Sequence, residues 1–155
     1  MADILAGTKN SRLYKRLVYD MQIAQDVSAY QDSAALSSSL RIVATPVPGH
    51  TVEELQQVID EEIVRLQRED PSDHELQRAI NQIEASFYNR MERVGGFGGK
   101  ADQLNAYFAA GGGPDYFAED LARYMALTPA DVQAAAMEWL PLGRRVELVV
   151  EPEEE

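Results

Sequence analysis

Residues 23–47 read IAQDVSAYQDSAALSSSLRIVATPV, two alternating runs joined by a small polar connection. In the first run Ile23, Gln25, Val27 and Ala29 alternate with Ala24, Asp26, Ser28 and Tyr30. That period of two is the pattern of a strand covered on one face. In the second run, over 39–47, Leu40, Ile42 and Ala44 share a face. The connection QDSAALSSS suits a hairpin, so the stretch predicts an antiparallel pair.

What lies on either side is mostly helical. Downstream, PGHTVEELQQVIDEEIVRLQRE opens with Thr51 and Glu54 in the T-x-x-E spacing of a capping box, and Val52, Leu55, Val58, Ile59, Ile63 and Leu66 recur at helical spacing. The same grammar returns in PSDHELQRAINQIEASFYNRMERV, with Ser72 and Glu75 as the box and Leu76, Ile80, Ile83, Phe87 and Met91 as the stripe. Residues 114–126 form another apolar-faced segment, with Phe117, Leu121 and Tyr124 on one side. In LTPADVQAAAMEWLP, Thr128 stands at the cap, Pro129 at the first helical position and Pro141 just past the end. Upstream, SRLYKRLVYD reads as a helix with Ser11 as its cap. RRVELVVEP (144–152) reads as a late strand, with Val146, Leu148 and Val150 alternating.

The order is helix, hairpin, four or five helices, strand. Segregated strands and helices predict an α+β fold, an antiparallel sheet with helices packed on one face. The reading is one domain over 1–150 followed by an acidic tail, EPEEE (151–155). Three strands are thin for so many helices, and ADILAG opens abruptly inside an apparent helix. Both suggest an excised piece whose missing strands lie upstream or in a partner.

The chain has 155 residues, 45% hydrophobic and 26% charged, with a formal net charge of −12 and no cysteine. Such a charge argues against nucleic acid, whose phosphates need clustered Lys and Arg. The absence of cysteine removes disulfides, thiolate zinc sites and cysteine nucleophiles together. No apolar run is long enough to span a bilayer, so no membrane partner is expected. MADILAGTKNSRLYK shows no signal peptide. The expected location is a bacterial cytoplasm or periplasm, depending on an absent N-terminus.

Several segments look chemical and fail on inspection. VGGFGGK (94–100) resembles a phosphate loop, but Val94 stands where the first glycine belongs and Ala101 where Ser or Thr belongs. It also follows a helix rather than a strand. The glycines are better read as a connector with positive backbone angles and a close helix approach, and Lys100 as capping or solvating a helix end. HELQR (74–78) begins like H-E-x-x-H but ends in Arg78, and HTVEE (50–54) begins like H-x-x-E-H but ends in Glu54. Glu53, Glu54, Asp60, Glu61 and Glu62 alternate round a helix as solvated charges do. No G-x-S-x-G elbow accompanies Ser37, Ser38 or Ser39. Neither a catalytic residue nor a metal site is expected in this chain.

The ordered set NSRLYKRLVYDMQIAQDVSA (10–29), PVPGHTVEELQQVIDEEIVRL (46–66), DHELQRAINQIEASFYNRME (73–92), the run from Gly98 to Leu140 and VELVVEP (146–152) resembles the insulinase/pitrilysin-like zinc peptidases, peptidase family M16. The similarity is to their non-metal-binding, C-terminal-type domains and covers nearly the whole chain. It implies the M16/LuxS-like metallohydrolase fold, of which this would be the C-terminal three-quarters. In such enzymes four related domains close around an unfolded peptide, and one of them carries zinc through H-x-x-E-H. The resemblance thus implies zinc in another domain and none here, with other M16 domains, of the same or a partner chain, and a peptide substrate as partners.

An Arg/Tyr pair contributed opposite the zinc aligns with Val18 and Gln25, which offer no donor and only a neutral one. The glycine-rich substrate loop of the family aligns with LAGTKN, which has one glycine. Gln25 and Tyr30, on the first strand, are the candidates for lining the peptide chamber. The alternative is an inactive structural or assembly subunit that makes no direct substrate contact.

Overall fold

The computed structural model describes residues 1–110 and 113–151; all but Glu151 of the acidic tail lies outside them. The chain divides into two compact units, Met1–Pro71 with Pro129–Glu155, and Ser72–Thr128.

The first unit opens with α1 (Ala2–Ala6) and α2 (Arg12–Tyr14), which runs directly into a π-helical turn over Lys15–Asp20. Gln22, at a φ of 56°, ends that run and turns the chain into β1 (Ala24–Asp32). β2 (Ser39–Pro46) returns antiparallel, pairing Val27 with Ala44, Ala29 with Ile42 and Gln31 with Leu40. The predicted hairpin is therefore present, and α1, α2 and α3 (Val52–Arg68) pack against its strands. One face is covered: Val27 and Ala29 are buried, while Asp26, Tyr30, Arg41 and Val43 are exposed. Helices on one side of an antiparallel pair constitute the expected α+β class.

Thr51 and Glu54 make both halves of the capping box that starts α3, a pattern worth about 1 kcal/mol. Leu55, Val58, Ile63 and Leu66 from this helix join Leu5, Leu13 and Leu17 in the core. On α7 (Pro129–Trp139), Val132 and Ala136 are buried where that helix packs on α3. Gln67 Nε2 donates to the Leu140 carbonyl at 2.8 Å and so ties the end of α7 to α3.

In the second unit α4 (Asp73–Glu92) starts from the Ser72–Glu75 box and packs against α5 (Lys100–Ala109) and α6 (Phe117–Met125). Phe87 is its anchor, 5.5 Å from the Phe117 ring and 5.6 Å from that of Tyr124. Offset and edge-on aromatic contacts of this kind add about 1 kcal/mol beyond area burial.

The sheet departs from the sequence reading in one respect. Among the described residues it has two strands; of the segment predicted as a third, 144–152, residues 144–151 join neither, and Pro152 lies outside the described residues. The start of that segment is held by side chains instead. Arg145 Nη2 meets Asp60 at 3.0 Å and Gln56 Nε2 donates to Glu147 at 2.8 Å. Alternation marks a segment able to enter a ladder, but a ladder also needs a neighbouring strand within reach.

Candidate functional site

The sequence candidates lie on β1. A bulge interrupts its register between Ala24 and Asp26: Ala24 faces Pro46 and Asp26 faces Thr45, so Gln25 is the extra residue. Strict alternation puts Gln25 on the Val27 face. The bulge overturns that, because one inserted residue shifts the pleat, and Gln25 is exposed. Its Nε2 donates to the Pro46 carbonyl at 3.2 Å. Tyr30 lies five residues on, roughly 17 Å along an extended strand, so the two candidates do not form one cluster. Tyr30 is 47% exposed and stands opposite Arg41, whose Nη2 meets Asp32 at 2.7 Å.

Arg41 was missed in reading the sequence. The cross-strand pairing that would have found it depends on how many residues the connection spends between strands, which composition does not set. Val18, the other position aligned with the Arg/Tyr pair, is half-buried in the π-helical turn. Outward from the bulge, the hairpin presents a mixed surface of Asp26, Tyr30, Arg41 and Val43, able to offer hydrogen bonds and one aromatic face but no nucleophile–base pair.

The metal near-misses resolve into helix starts. His50 Nδ1 lies 3.0 Å from Glu54 Oε2, which also accepts from the Thr51 N–H at 2.8 Å. The Thr51 amide, and then the His50 ring, hold the Glu54 carboxyl below its ordinary range. His74 is exposed in the first turn of α4. Among the described residues no three His, Cys, Asp or Glu side chains converge as a metal would require. One acid on α3 contradicts the expectation of solvated charge. Glu62 is 3% exposed, and its Oε1 accepts from Arg16 Nη1 at 3.0 Å. Its neighbour Glu61 also pairs with Arg16, from an exposed position.

The glycine-rich turn closes on itself. Gly96 and Gly98 take φ of 82° and 73°. Gly98 N–H donates to Asp102 Oδ2 at 2.8 Å, and Lys100 N–H to the Arg93 carbonyl at 2.7 Å. Amides committed in this way form no phosphate cradle. Lys100 is the first residue of α5 and is exposed, so its side chain is solvated at a helix start.

Along α3, Gln57, Asp60, Glu61, Val64 and Arg65 line an open groove of about 700 Å³, whose charges are paired locally rather than converging. No helix among the described residues is long and apolar enough to cross a membrane.

With this geometry in view, comparison with known proteins is informative. The model of the peptidase M16 inactive domain matches residues 1–83, more than half of the 155-residue chain. No curated protein matches. The solved inactive peptidase domain of a protein assigned as a zinc protease from Bordetella parapertussis is 24% identical, with a TM-score of 0.81 over 99% of this chain and 81% of that one. A protein assigned as a zinc protease from Bordetella pertussis Tohama I gives 0.76 at 24% identity, over 94% of this chain and 78% of its own. A protease from Helicobacter pylori gives 0.78 at 18% identity; 90% of this chain is covered, but only 33% of that one. At such identities the structural likeness speaks for the fold.

Proposed function

Because the chain belongs to the peptidase M16 inactive-domain family, we propose that it is a non-catalytic domain of an M16-type zinc endopeptidase, forming part of the chamber that encloses the peptide. On this reading residues 1–150 make one domain and 151–155 an acidic tail. The zinc, its H-x-x-E-H ligands and the general base belong to another M16 domain of the same or a partner chain.

The observation that carries the proposal is the outer surface of the hairpin. Among the described residues β1 and β2 form a two-stranded sheet, and each strand pairs on one side only within it. A free edge can add an extended peptide as a further strand, with main-chain hydrogen bonds supplying affinity and little demand on sequence. Tyr30 on the exposed face and Gln25 at the bulge are the side chains we assign to the chamber wall.

The test is photo-crosslinking from position 30, with the residue replaced by a benzophenone amino acid and an extended unstructured peptide as the probe. Crosslinking that is saturable and competed by unlabelled peptide supports the chamber role. Its absence, in a folded complex with the zinc-bearing domain, points to the assembly role. One observation favours that second reading: the Gln25 amide is already engaged by the Pro46 carbonyl.

A further inference from the structure

Two one-residue insertions frame the entry to β1. The π-helical turn over Lys15–Asp20 closes through the Met21 N–H, which donates to the Arg16 carbonyl at 2.9 Å, five residues back where an α-turn reaches four. The bulge at Gln25 is the second insertion. Between them Gln22 takes a φ of 56°, a backbone state unfavourable for any residue with a Cβ. Ile23 N–H then donates to the Leu17 carbonyl at 3.0 Å and delivers the chain to the hairpin. An α-turn in place of the π-turn uses one residue fewer, so the choice between them decides by one residue where β1 begins. A one-residue shift exchanges the two faces of a strand. As it stands, Ile23, Ala24, Val27 and Ala29 are buried, while Gln25 and Tyr30 face outward.

The residue whose carbonyl closes the π-turn is also the one anchored from outside it. Arg16 Nη1 donates to Glu62 Oε1 at 3.0 Å, and its Nη2 pairs with the exposed Glu61. Glu62 is 3% exposed. Its second oxygen has no hydrogen-bond partner among the described residues, and the Arg65 guanidinium stands 4.0 Å from the first. A buried carboxylate with one acceptor unused is a weak source of stability. Such a pair does more to fix a single arrangement, because displacing Arg16 strands a charge in the interior. Removing one residue from the turn swings the side chains before and after it by about 100° relative to one another. With the hairpin held by its own packing, that rotation carries Arg16 off Glu62.

We propose that Arg16 and Glu62 are positioning residues: the buried pair holds residues 15–20 in the π register and so fixes which side chains of β1 face outward. The consequence for peptide binding rests on the chamber role of Gln25 and Tyr30 proposed above. On that premise the pair touches no peptide itself and acts only through the strand.

Two readouts separate the register from the chamber. Through-hydrogen-bond scalar couplings in the NMR spectrum of the 155-residue chain identify the acceptor of the Met21 N–H. The KM for a quenched fluorescent peptide, measured with the H-x-x-E-H-bearing domain present, reports on the chamber wall. The parent should couple Met21 to Arg16. Arg16→Met combined with Glu62→Leu, which keeps the site filled, should couple Met21 to Leu17 instead and raise KM by about tenfold with kcat unchanged. Should that variant fail to fold by circular dichroism, Glu62→Gln, which conserves shape and removes the charge, is read in its place. Arg16→Lys, which keeps a cation facing Glu62, and Glu61→Ala, which removes only the exposed partner, should both retain the parental coupling and KM. A Met21–Arg16 coupling that survives loss of the buried pair overturns the inference. A switched coupling with an unchanged KM upholds the register role and instead overturns the assignment of Gln25 and Tyr30 to the chamber wall.

Discussion

Gln25 is the inserted residue of the β1 bulge, and its side-chain amide closes that bulge by donating to the Pro46 carbonyl at 3.2 Å. The side chain at this position thus serves the backbone of its own hairpin.

Because that hydrogen bond is exposed, Gln25→Ala should lower stability by no more than about 1 kcal/mol. Urea unfolding followed by circular dichroism reads this. A loss of several kcal/mol would assign Gln25 a structural weight that its exposure does not support.

Arg16 and Glu62 form the most consequential ion pair of the first unit, since Glu62 is almost fully buried and meets Arg16 at 3.0 Å. Arg16→Ala leaves a carboxylate buried without that partner and should cost about 3 kcal/mol. Arg16→Met combined with Glu62→Leu should recover most of the loss, because apolar packing can replace a buried pair. Glu61→Ala, which removes only the exposed partner of Arg16, should change stability by less than about 1 kcal/mol. Equal costs for Arg16→Ala and Glu61→Ala would contradict this ranking.

Tyr107 gives the second unit a pH signature. Burial, and then the Asp120 carboxylate that its hydroxyl meets at 3.0 Å, push the phenol up to about 12. The raised value means that the folded chain holds this proton where the unfolded chain has released it. The associated stability is complete below the unfolded value of 10.0 and is lost as pH rises from there toward 12. Tyr107→Phe should flatten that alkaline decline, and ultraviolet titration should show one tyrosine fewer ionising late. An unchanged titration curve would remove Tyr107 as its source.

The glycines of the α4–α5 turn should differ sharply in tolerance. A Cβ at Gly99 meets the Arg93 and Gly95 carbonyl oxygens at 2.8 and 2.9 Å, whereas one at Gly95 meets nothing within 4 Å. Gly99→Ala should therefore destabilise by roughly 1–3 kcal/mol through backbone displacement, and Gly95→Ala should be close to neutral. Lys100→Ala should leave nucleotide binding at background, checked by isothermal titration with ATP.

The features that were legible in the sequence are those encoded within a few residues. Thr51 with Glu54 and Ser72 with Glu75 mark helix starts because a capping box is a local contact, and both boxes are formed. The hairpin was legible because alternation and a polar connection suffice. Three features depended on distant partners and were not. The bulge at Gln25 arises from the register against β2. The burial of Glu62 depends on Arg16, 46 positions away, and helical periodicity alone places it among solvated acids. The segment after Arg144 has a strand's pattern, but whether it joins a sheet is decided by which edge lies beside it. The π-helical turn over Lys15–Asp20 reads as ordinary helix, because both conformations accept the same residues.

The central claim is that this chain contributes to proteolysis without supplying its metal chemistry. Hydrolysis of a quenched fluorescent peptide, measured for the 155-residue chain with added zinc, for the H-x-x-E-H-bearing domain of its enzyme, and for the two together, tests it most directly. The expected result is background turnover by this chain alone and activity in the combination at least about tenfold above the zinc-bearing domain by itself, a gain consistent with peptide positioning. Chelator-sensitive turnover by this chain alone would contradict the account.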